Sequence, residues 1–288
     1  MIGWMLYYKE DADKNQAYIQ WFQDEGRLLG MEIQLKLVED LEAQISFHVK
    51  VSQASPGQTP LPDFVLNRSR NAKVAEWLED AKVRCINCAK VTRIANNKEE
   101  TYAYFHQFGI PMLLTRGIIV DKNLPKQRLC GYPLVAKSVD GHGGEEVFWV
   151  ASEKDWQPVM ETLWGKRIVL QSPCKMPGRD LRVFVLAGRP LAAVLRESTG
   201  DFRANYSLGG QIGLAELTEE QECLVKKICE EFPMEWGGID LLFDSEDDFY
   251  LNEVEDAVGS RSLSKLTDMN IARMVLEYVK ESQRLLQS

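Results

Sequence analysis

The chain has 288 residues, of which 45% are hydrophobic and 27% charged, as expected for a soluble protein with one large core or two to three small ones. The net charge of −9 argues against a general nucleic-acid binder, because phosphate backbones need clustered Lys and Arg. The apolar start, Met1–Tyr8, has no basic leader and is too short to span a membrane, and no later run is long enough. We therefore expect a cytoplasmic protein without membrane or nucleic-acid partners.

The N-terminal part alternates between predicted strands and helices. Strands are expected at Ile2–Tyr8, Met31–Val38, Ile45–Val51 and Asp63–Leu66, and helices at Gln16–Leu29 and Ala72–Ala81. This alternation indicates a small parallel α/β domain. Arg68 and Arg70 follow a strand at its carboxyl end, where open α/β sheets usually bind ligands. Surface salt bridges are an equally good interpretation of these two arginines.

A glycine-rich loop, Asp140–Glu146, lies between two short apolar strands. The neighbouring elements are a helix at Lys98–Phe108 and strands at Met112–Leu114, Tyr132–Lys137 and Val147–Val150. The glycines free backbone N–H groups to approach a phosphate, although an ordinary flexible loop has the same composition. The chain has no Walker motif, and the loop is not a dinucleotide fingerprint because strand follows strand. His142 in this loop is a weaker candidate for a substrate or phosphate contact.

The second half of the chain is predicted to contain both strands and amphipathic helices. The strands are Arg167–Gln171, then Asp180–Leu186 and Leu191–Arg196 as an antiparallel pair about Gly188, and the helices are Asp155–Leu163, Thr218–Glu231 and Thr267–Leu286. Thr218 and Gln221 form a capping-box pattern at the start of their helix. The last helix is expected to cover a sheet.

The most informative feature is an acidic hairpin, with strands predicted at Gly238–Phe243 and Phe249–Glu255. Glu253 and Glu255 are two residues apart, so their carboxylates leave the same face of the strand. A turn centred near Glu246 places Asp240 almost opposite them. Three carboxylates on one patch repel unless a cation lies between them, and a hard divalent metal is the simplest candidate. A solvated acidic face is the alternative.

Five short motifs follow one another between residue 88 and about residue 262. They are Asn97-Lys98 before a helix that ends in GIP, PLVAK before the glycine loop, VLQ before DLRVFVLAG, GDFRAN before GG, and GIDLLFD before LNEVE. In this order they resemble the ATP-grasp carboxylate–amine ligases, specifically the RimK-like branch. The resemblance implies an α+β ATP-grasp fold. It would comprise a pre-ATP-grasp α/β domain at 1–90, a central subdomain with a glycine-rich lid at 91–172 and a C-terminal subdomain with a metal site at 173–288.

The resemblance also implies ATP and Mg²⁺ as cofactors, with Mn²⁺ as a substitute. It assigns nucleotide binding to Lys98, Lys137, Gly141, Gly143, Gly144, Gln171, Ser172 and Asp180, and metal binding to Asp240, Glu253 and Glu255. Among these, Gln171 and Ser172 would form the hinge beside adenine and Asp180 would lie beside the ribose. Arg182, Arg203 and Lys137 would act at the reaction centre. The candidate substrate residues are Arg68, Arg70, Asn205, Ser260 and Arg261.

The implied reaction transfers the γ-phosphoryl group of ATP to a carboxylate, and an amine then displaces phosphate to give an amide and ADP. Phosphoryl transfer needs positioning and charge neutralisation, which two lysines, an arginine and a metal supply without a nucleophilic side chain. The partners would be a small-molecule or peptide carboxylate and an amine, and a homo-oligomer is left open.

Two other functions fit the same fold. One is a small-molecule kinase acting on a hydroxyl, and the other is a non-catalytic nucleotide-binding or structural protein. Glu255 stands where the family usually has Asn, which adds a negative charge to the metal site and favours the non-catalytic alternative.

Overall fold

The computed structural model describes residues 1–42, 61–121, 131–144, 146–198, 200–204 and 210–287. They form two compact units. The first contains Met1–Arg93, Met234–Trp236 and Asp256–Ser288, and the second contains Ile94–Pro233 and Gly237–Glu255. The C-terminal segment predicted at 173–288 is therefore divided between the two units. The division into three domains stays a prediction.

The described residues contain the following elements. The strands are β1 (Ile2–Tyr7), β2 (Glu32–Leu37), β3 (Phe64–Asn67), β4 (Arg84–Ile86), β5 (Thr115–Ile119), β6 (Leu134–Ser138), β7 (Val147–Val150), β8 (Arg167–Gln171), β9 (Arg179–Leu186), β10 (Arg189–Glu197), β11 (Gln211–Ala215), β12 (Trp236–Phe243) and β13 (Phe249–Glu255). The α-helices are α1 (Lys9–Lys14), α2 (Gln16–Leu28), α3 (Ala72–Asp80), α4 (Ala89–Ala95), α5 (Lys98–Gln107), α6 (Trp156–Leu163), α7 (Glu219–Glu231), α8 (Arg261–Leu266) and α9 (Ile271–Gln287).

The first unit is built on a parallel sheet with strand order β2-β1-β3-β4. This confirms the predicted parallel α/β arrangement, because helices connect strands that run in the same direction. Buried apolar side chains such as Leu6, Val65 and Leu78 form its core, and α9 packs against α2. The strand predicted at Ile45–Val51 lies outside the described residues.

The second unit contains two antiparallel sheets, with strand orders β5-β8-β6-β7 and β11-β10-β9-β12-β13. Together with the parallel sheet they confirm the α+β class. The capping box predicted for α7 is present, with hydrogen bonds in both directions between Thr218 and Gln221. Every helix in the described ranges is too short or too polar to cross a bilayer.

Two predicted elements are wrong in position. Met112–Leu114 is not a strand. The strand is β5, which begins at Thr115 and pairs with β8, and only the last predicted residue, Leu114, touches this ladder, through its carbonyl oxygen, which accepts from the Ser172 amide. The last helix begins at Ile271 rather than Thr267. Thr267 instead ends α8, where its hydroxyl donates to Leu263 O at 2.9 Å.

Gly178 closes the loop that precedes β9. Its φ is +79°, and an added Cβ would lie 2.8 Å from the carbonyl oxygens of both Ser198 and Asp201. We expect Gly178→Ala to lower the free energy of unfolding, measured by urea denaturation, by about 3 kcal/mol. Gly188→Ala is the matched control, because Gly188 also has a positive φ but nothing within 4 Å, and its loss should be about 1 kcal/mol. Equal losses would contradict the steric argument.

Candidate active site

The acidic hairpin has the geometry that its sequence predicts. Asp240 on β12 pairs directly with Glu253 on β13, and Glu255 pairs with Gly238. The carboxylate oxygens of Asp240, Glu253 and Glu255 all lie within 4.8 Å of one another. Carboxylate oxygens at this spacing suit a hard divalent cation. The predicted cluster therefore exists, and its role as a metal site stays a prediction.

An irregularity in the hairpin adds a further polar group. The register of the two strands shifts between Asp240 and Leu241, so Asn252 on β13 has no partner across the ladder. Its Oδ1 accepts a hydrogen bond from Lys137 Nζ at 2.9 Å. The bulge thus links the lysine on β6 to the strand that carries Glu253.

Two buried arginines bind the acidic cluster from the neighbouring strands β9 and β10. Arg182 donates through Nε and Nη2 to Asp240 at 2.7 and 2.6 Å, and through Nη2 to Glu255 at 2.6 Å. Arg196 donates to both oxygens of Asp180 and, at 2.7 Å, to Asp240. Bidentate pairs of this kind are the strong form of ion pair.

The cluster keeps an excess of negative charge. Asp180, Asp240, Glu253 and Glu255 supply four carboxylates, against the two guanidinium groups of Arg182 and Arg196. Burial alone would raise the pKa of Asp240, but the two guanidinium groups outweigh it and lower this pKa to about 2. Burial, with Asp240 and Glu253 nearby, raises the pKa of Glu255. A divalent cation would offset this remaining charge, so the residues present fit Mg²⁺.

Lys137 and Lys98 supply positive charge beside this cluster. Burial, reinforced by the charge of Lys98, lowers the pKa of Lys137 to about 8, while Glu253 opposes the shift. Lys98 Nζ donates to Gly141 O at 2.5 Å. The α5 helix that presents Lys98 is capped by Asn97, whose Oδ1 accepts from two backbone amides. The charge of Lys98 acts on Lys137, so the two lysines lie near each other. Their binding of nucleotide stays a prediction.

Arg203 holds the other end of the glycine loop. Its Nη1 donates to Gly144 O at 2.5 Å, and Asp201 fixes the guanidinium through Nε and Nη2. Gly143 and Gly144 have φ values of +66° and +82°, which only glycine adopts without strain. Lys98 and Arg203 thus bracket the loop at Gly141 and Gly144.

The residues predicted to bind adenine and ribose also belong to the second unit. Gln171 is buried at the end of β8, and its Nε2 donates to Thr115 Oγ1 at 3.2 Å. The Ser172 amide donates to Leu114 O at 2.9 Å. The carboxylate of Asp180 is engaged by Arg196, which places it with the acidic cluster.

Four of the predicted substrate residues belong to the first unit, and Asn205 lies outside the described residues. Arg70 pairs with Asp11 at 2.7 Å, as the salt-bridge interpretation predicts. Arg261 is exposed at the start of α8. Arg68 and Ser260 both lie near Tyr18. The structure therefore brings together Arg68 and Ser260 but not Arg70.

Sequence reasoning missed Arg196 and Asn252. Arg196 had a usable signal, because antiparallel pairing about Gly188 places it directly opposite Asp180. Asn252 had none, since the bulge that frees it depends on packing around the hairpin.

The chain is similar to known proteins over most of its length. A family model for the RimK-like ATP-grasp domain matches residues 95–279. The chain is 25% identical over 277 residues to Uncharacterized protein MG011 of Mycoplasma genitalium, covering 94% of this chain and 89% of that protein. It is 26% identical over 260 residues to Beta-citrylglutamate synthase B of Danio rerio, covering 88% and 64%. Its fold resembles the crystal structure of D-alanine–D-alanine ligase from Bacillus anthracis complexed with ATP, with a TM-score of 0.73, 15% identity and coverage of 99% and 98%.

Proposed function

Because this chain belongs to the RimK-like ATP-grasp family, we propose that it is a cytoplasmic, ADP-forming ligase that joins a carboxylate to an amine with ATP and Mg²⁺. One observation carries the proposal. A cluster of three carboxylates within 4.8 Å lies in the same unit as two neighbouring lysines and a glycine loop bracketed by Lys98 and Arg203. Phosphoryl transfer needs this combination of cation-binding and anion-binding groups.

The acidic cluster would hold the metal through Asp240, Glu253 and Glu255, and Mn²⁺ could replace Mg²⁺ there. When bound, the metal supplies charge neutralisation on phosphate oxygens. Arg182 donates to Asp240 and Glu255, so it orients these carboxylates and limits their repulsion. Glu255 in place of an asparagine keeps an oxygen ligand, and Arg182 offsets its added charge.

The basic groups would bind and orient the phosphates. Lys137 and Lys98 offer ammonium groups, and the backbone N–H groups of Gly141, Gly143 and Gly144 offer neutral donors. Arg203 bonds to both Gly144 and Asp201, so it holds a cation beside the loop that would stabilise charge on the transferred group. Gln171 and Ser172 would contact adenine, and Asp180 the ribose.

The reacting partners would be an amino acid or peptide carboxylate and an amine. The names of two similar proteins, a β-citrylglutamate synthase and a D-alanine–D-alanine ligase, support this class. Arg68, Arg70, Asn205, Ser260 and Arg261 are the residues proposed to select them, and arginine prefers carboxylates or phosphates.

ADP release in the presence of Mg²⁺ and ATP tests the proposal. Pools of amino acids and short peptides would be supplied with and without added amines. We expect ADP only when a carboxylate and an amine are both present. ADP formation with hydroxyl compounds alone would instead identify a kinase. Binding of ATP, seen by thermal shift, without ADP from any pool would contradict the ligase.

A further inference from the structure

Within the described residues, the large apolar side chain of Trp149 lies outside the core of its sheet. Trp149 is on β7, directly opposite Val135 of β6. The core that α6 covers is built from the other face, by residues such as Leu134 and Val150. Since side chains alternate along a strand, Trp149 leaves the sheet on the face that also carries Val135 and Lys137. The core therefore does not account for this tryptophan.

The Trp149 ring packs against Phe202, the residue that precedes Arg203. The two ring centroids lie 5.4 Å apart, which is the spacing of a favourable aromatic pair, and both side chains are half-buried. The guanidinium carbon of Arg203 lies 5.6 Å from the centroid of the same Phe202 ring, within the range of a cation–π contact. Phe202 therefore connects Trp149 to the guanidinium group.

Other bonds fix Arg203 to its own part of the chain. Asp201 accepts from its backbone amide and from its Nε and Nη2. The carbonyl oxygen of Phe202 accepts from the Gly178 amide at 2.7 Å, which ties this segment to the loop before β9. These bonds orient the guanidinium group relative to its own segment, but they do not reach the glycine loop.

Two further contacts reach the loop hairpin, which consists of β6, the glycine loop and β7. One is the hydrogen bond from Arg203 Nη1 to Gly144 O at 2.5 Å. The other is the ring pair of Trp149 and Phe202. A hydrogen bond between flexible groups fixes a position less firmly than the same bond with a packed aromatic pair beside it, because the pair restricts the rotamers around it. The ring pair therefore supports the placement of Arg203 at the loop.

We propose that Trp149 is a positioning residue for Arg203. Its ring holds Phe202, and Phe202 holds the guanidinium group beside Gly144. This inference rests on the proposed function, which places the phosphates of ATP at the glycine loop. A guanidinium group that is already in place binds phosphate at a lower entropic cost than one that has to be ordered by the ligand.

The affinity for ATP in the presence of Mg²⁺, measured by calorimetry on the full chain, tests this role without the other substrates. We expect Trp149→Leu to weaken the affinity by about 3- to 10-fold, because the ring pair is lost. Trp149→Phe keeps an aromatic ring and should recover most of the affinity. Trp164→Leu is the matched control, because it removes a tryptophan of the same unit that is 59% exposed, and it should bind ATP as wild type does.

A double-mutant cycle distinguishes positioning of Arg203 from a general contribution to the fold. Arg203→Met alone should weaken ATP binding by about 10- to 100-fold. In that background, Trp149→Leu should weaken it by less than about 2-fold, because the group that it positions is absent. A full loss in the Arg203→Met background would mean that Trp149 supports the hairpin independently, and it would overturn the proposal. Unchanged affinity in Trp149→Leu alone would also overturn it.

ADP formation by the wild-type protein separates this inference from the proposed function. If ADP forms but the effects of the two substitutions on ATP affinity are additive, the positioning role fails and the ligase proposal stands. If the effects are coupled but no carboxylate and amine pool yields ADP, the ligase proposal fails and the positioning of Arg203 at a bound nucleotide stands. A wild-type protein that does not bind ATP would contradict both.

Discussion

Asp240→Asn is expected to reduce Mg²⁺-dependent ADP formation by about 1000-fold or more, because metal-ligand charge contributes several kcal/mol to stabilising the transferred phosphoryl group. Asp240 is the most buried of the three carboxylates, is only 1% exposed and contacts both Arg182 and Arg196. The measurement is ADP release at saturating ATP, with Mg²⁺ affinity determined by calorimetry. The rate of ADP release and the affinity for Mg²⁺ should both fall.

Glu246→Gln is the matched control for this substitution. Glu246 lies in the turn of the same hairpin, where it is exposed and pairs with Arg179. The substitution therefore removes one negative charge from the hairpin but leaves the contacts of the acidic cluster unchanged. Its ADP formation should remain at the wild-type rate. An Asp240→Asn protein with unchanged ADP formation would contradict the metal assignment.

Asp240→Asn should also lose stability, which the assay must separate from loss of chemistry. The substitution removes the charge that Arg182 and Arg196 share, so these buried guanidinium groups are less well compensated. We expect the free energy of unfolding to fall by about 3 kcal/mol. Activity is therefore compared at a temperature where circular dichroism shows both proteins to be folded. Loss of ADP formation in a folded variant is then a chemical effect.

Lys137→Met is expected to reduce ADP formation by about 100- to 1000-fold while making the unliganded protein more stable below pH 8. The activity falls because a preorganised cation for the phosphates is lost. The stability rises because burial lowers the pKa of Lys137 from 10.5 to about 8, so the folded state carries its charge at a cost. The pKa shift corresponds to a gain of about 3 kcal/mol in stability when the charge is removed. Loss of the hydrogen bond to Asn252 offsets about 1 kcal/mol of this gain.

The stability difference between Lys137→Met and wild type should depend on pH. Between pH 8 and 10.5 the unfolded chain binds more protons at Lys137 than the folded chain, so this lysine makes stability increase with pH through that interval. The advantage of Lys137→Met over wild type should therefore be largest below pH 8 and shrink above it. Lys154→Met, at an exposed position, should show neither change. A constant difference at all pH values would contradict the lowered pKa.

The sequence predicted local features of the site better than contacts between distant strands. Asp240 and Glu253 lie opposite each other because strand side chains alternate with a period of two and the turn is short. This arrangement could be predicted from the sequence. The bonds from Arg182 to Asp240 could not, because they require β9 to lie beside β12 in the sheet. The resemblance supplied the identity of Arg182, and only the fold supplied its partner.

The first unit shows the same limit. Its parallel strands were predicted from their spacing, but Tyr18, Arg68 and Ser260 come from three separated parts of the chain. Their proximity depends on the return of Asp256–Ser288 to the first unit. No local pattern indicates that return. Met112–Leu114 was also mistaken for a strand because apolar content alone does not reveal where backbone groups find their partners.

Trapping of the acylphosphate is the most direct test of the proposed chemistry. The protein would be incubated with ATP, Mg²⁺, the amino acid and peptide pools and hydroxylamine, which converts an acylphosphate into a hydroxamate. We predict hydroxamate in amounts equal to ADP, with both products reduced in parallel in Asp240→Asn and Lys137→Met. ADP formation without hydroxamate in every pool would contradict a carboxylate-activating ligase.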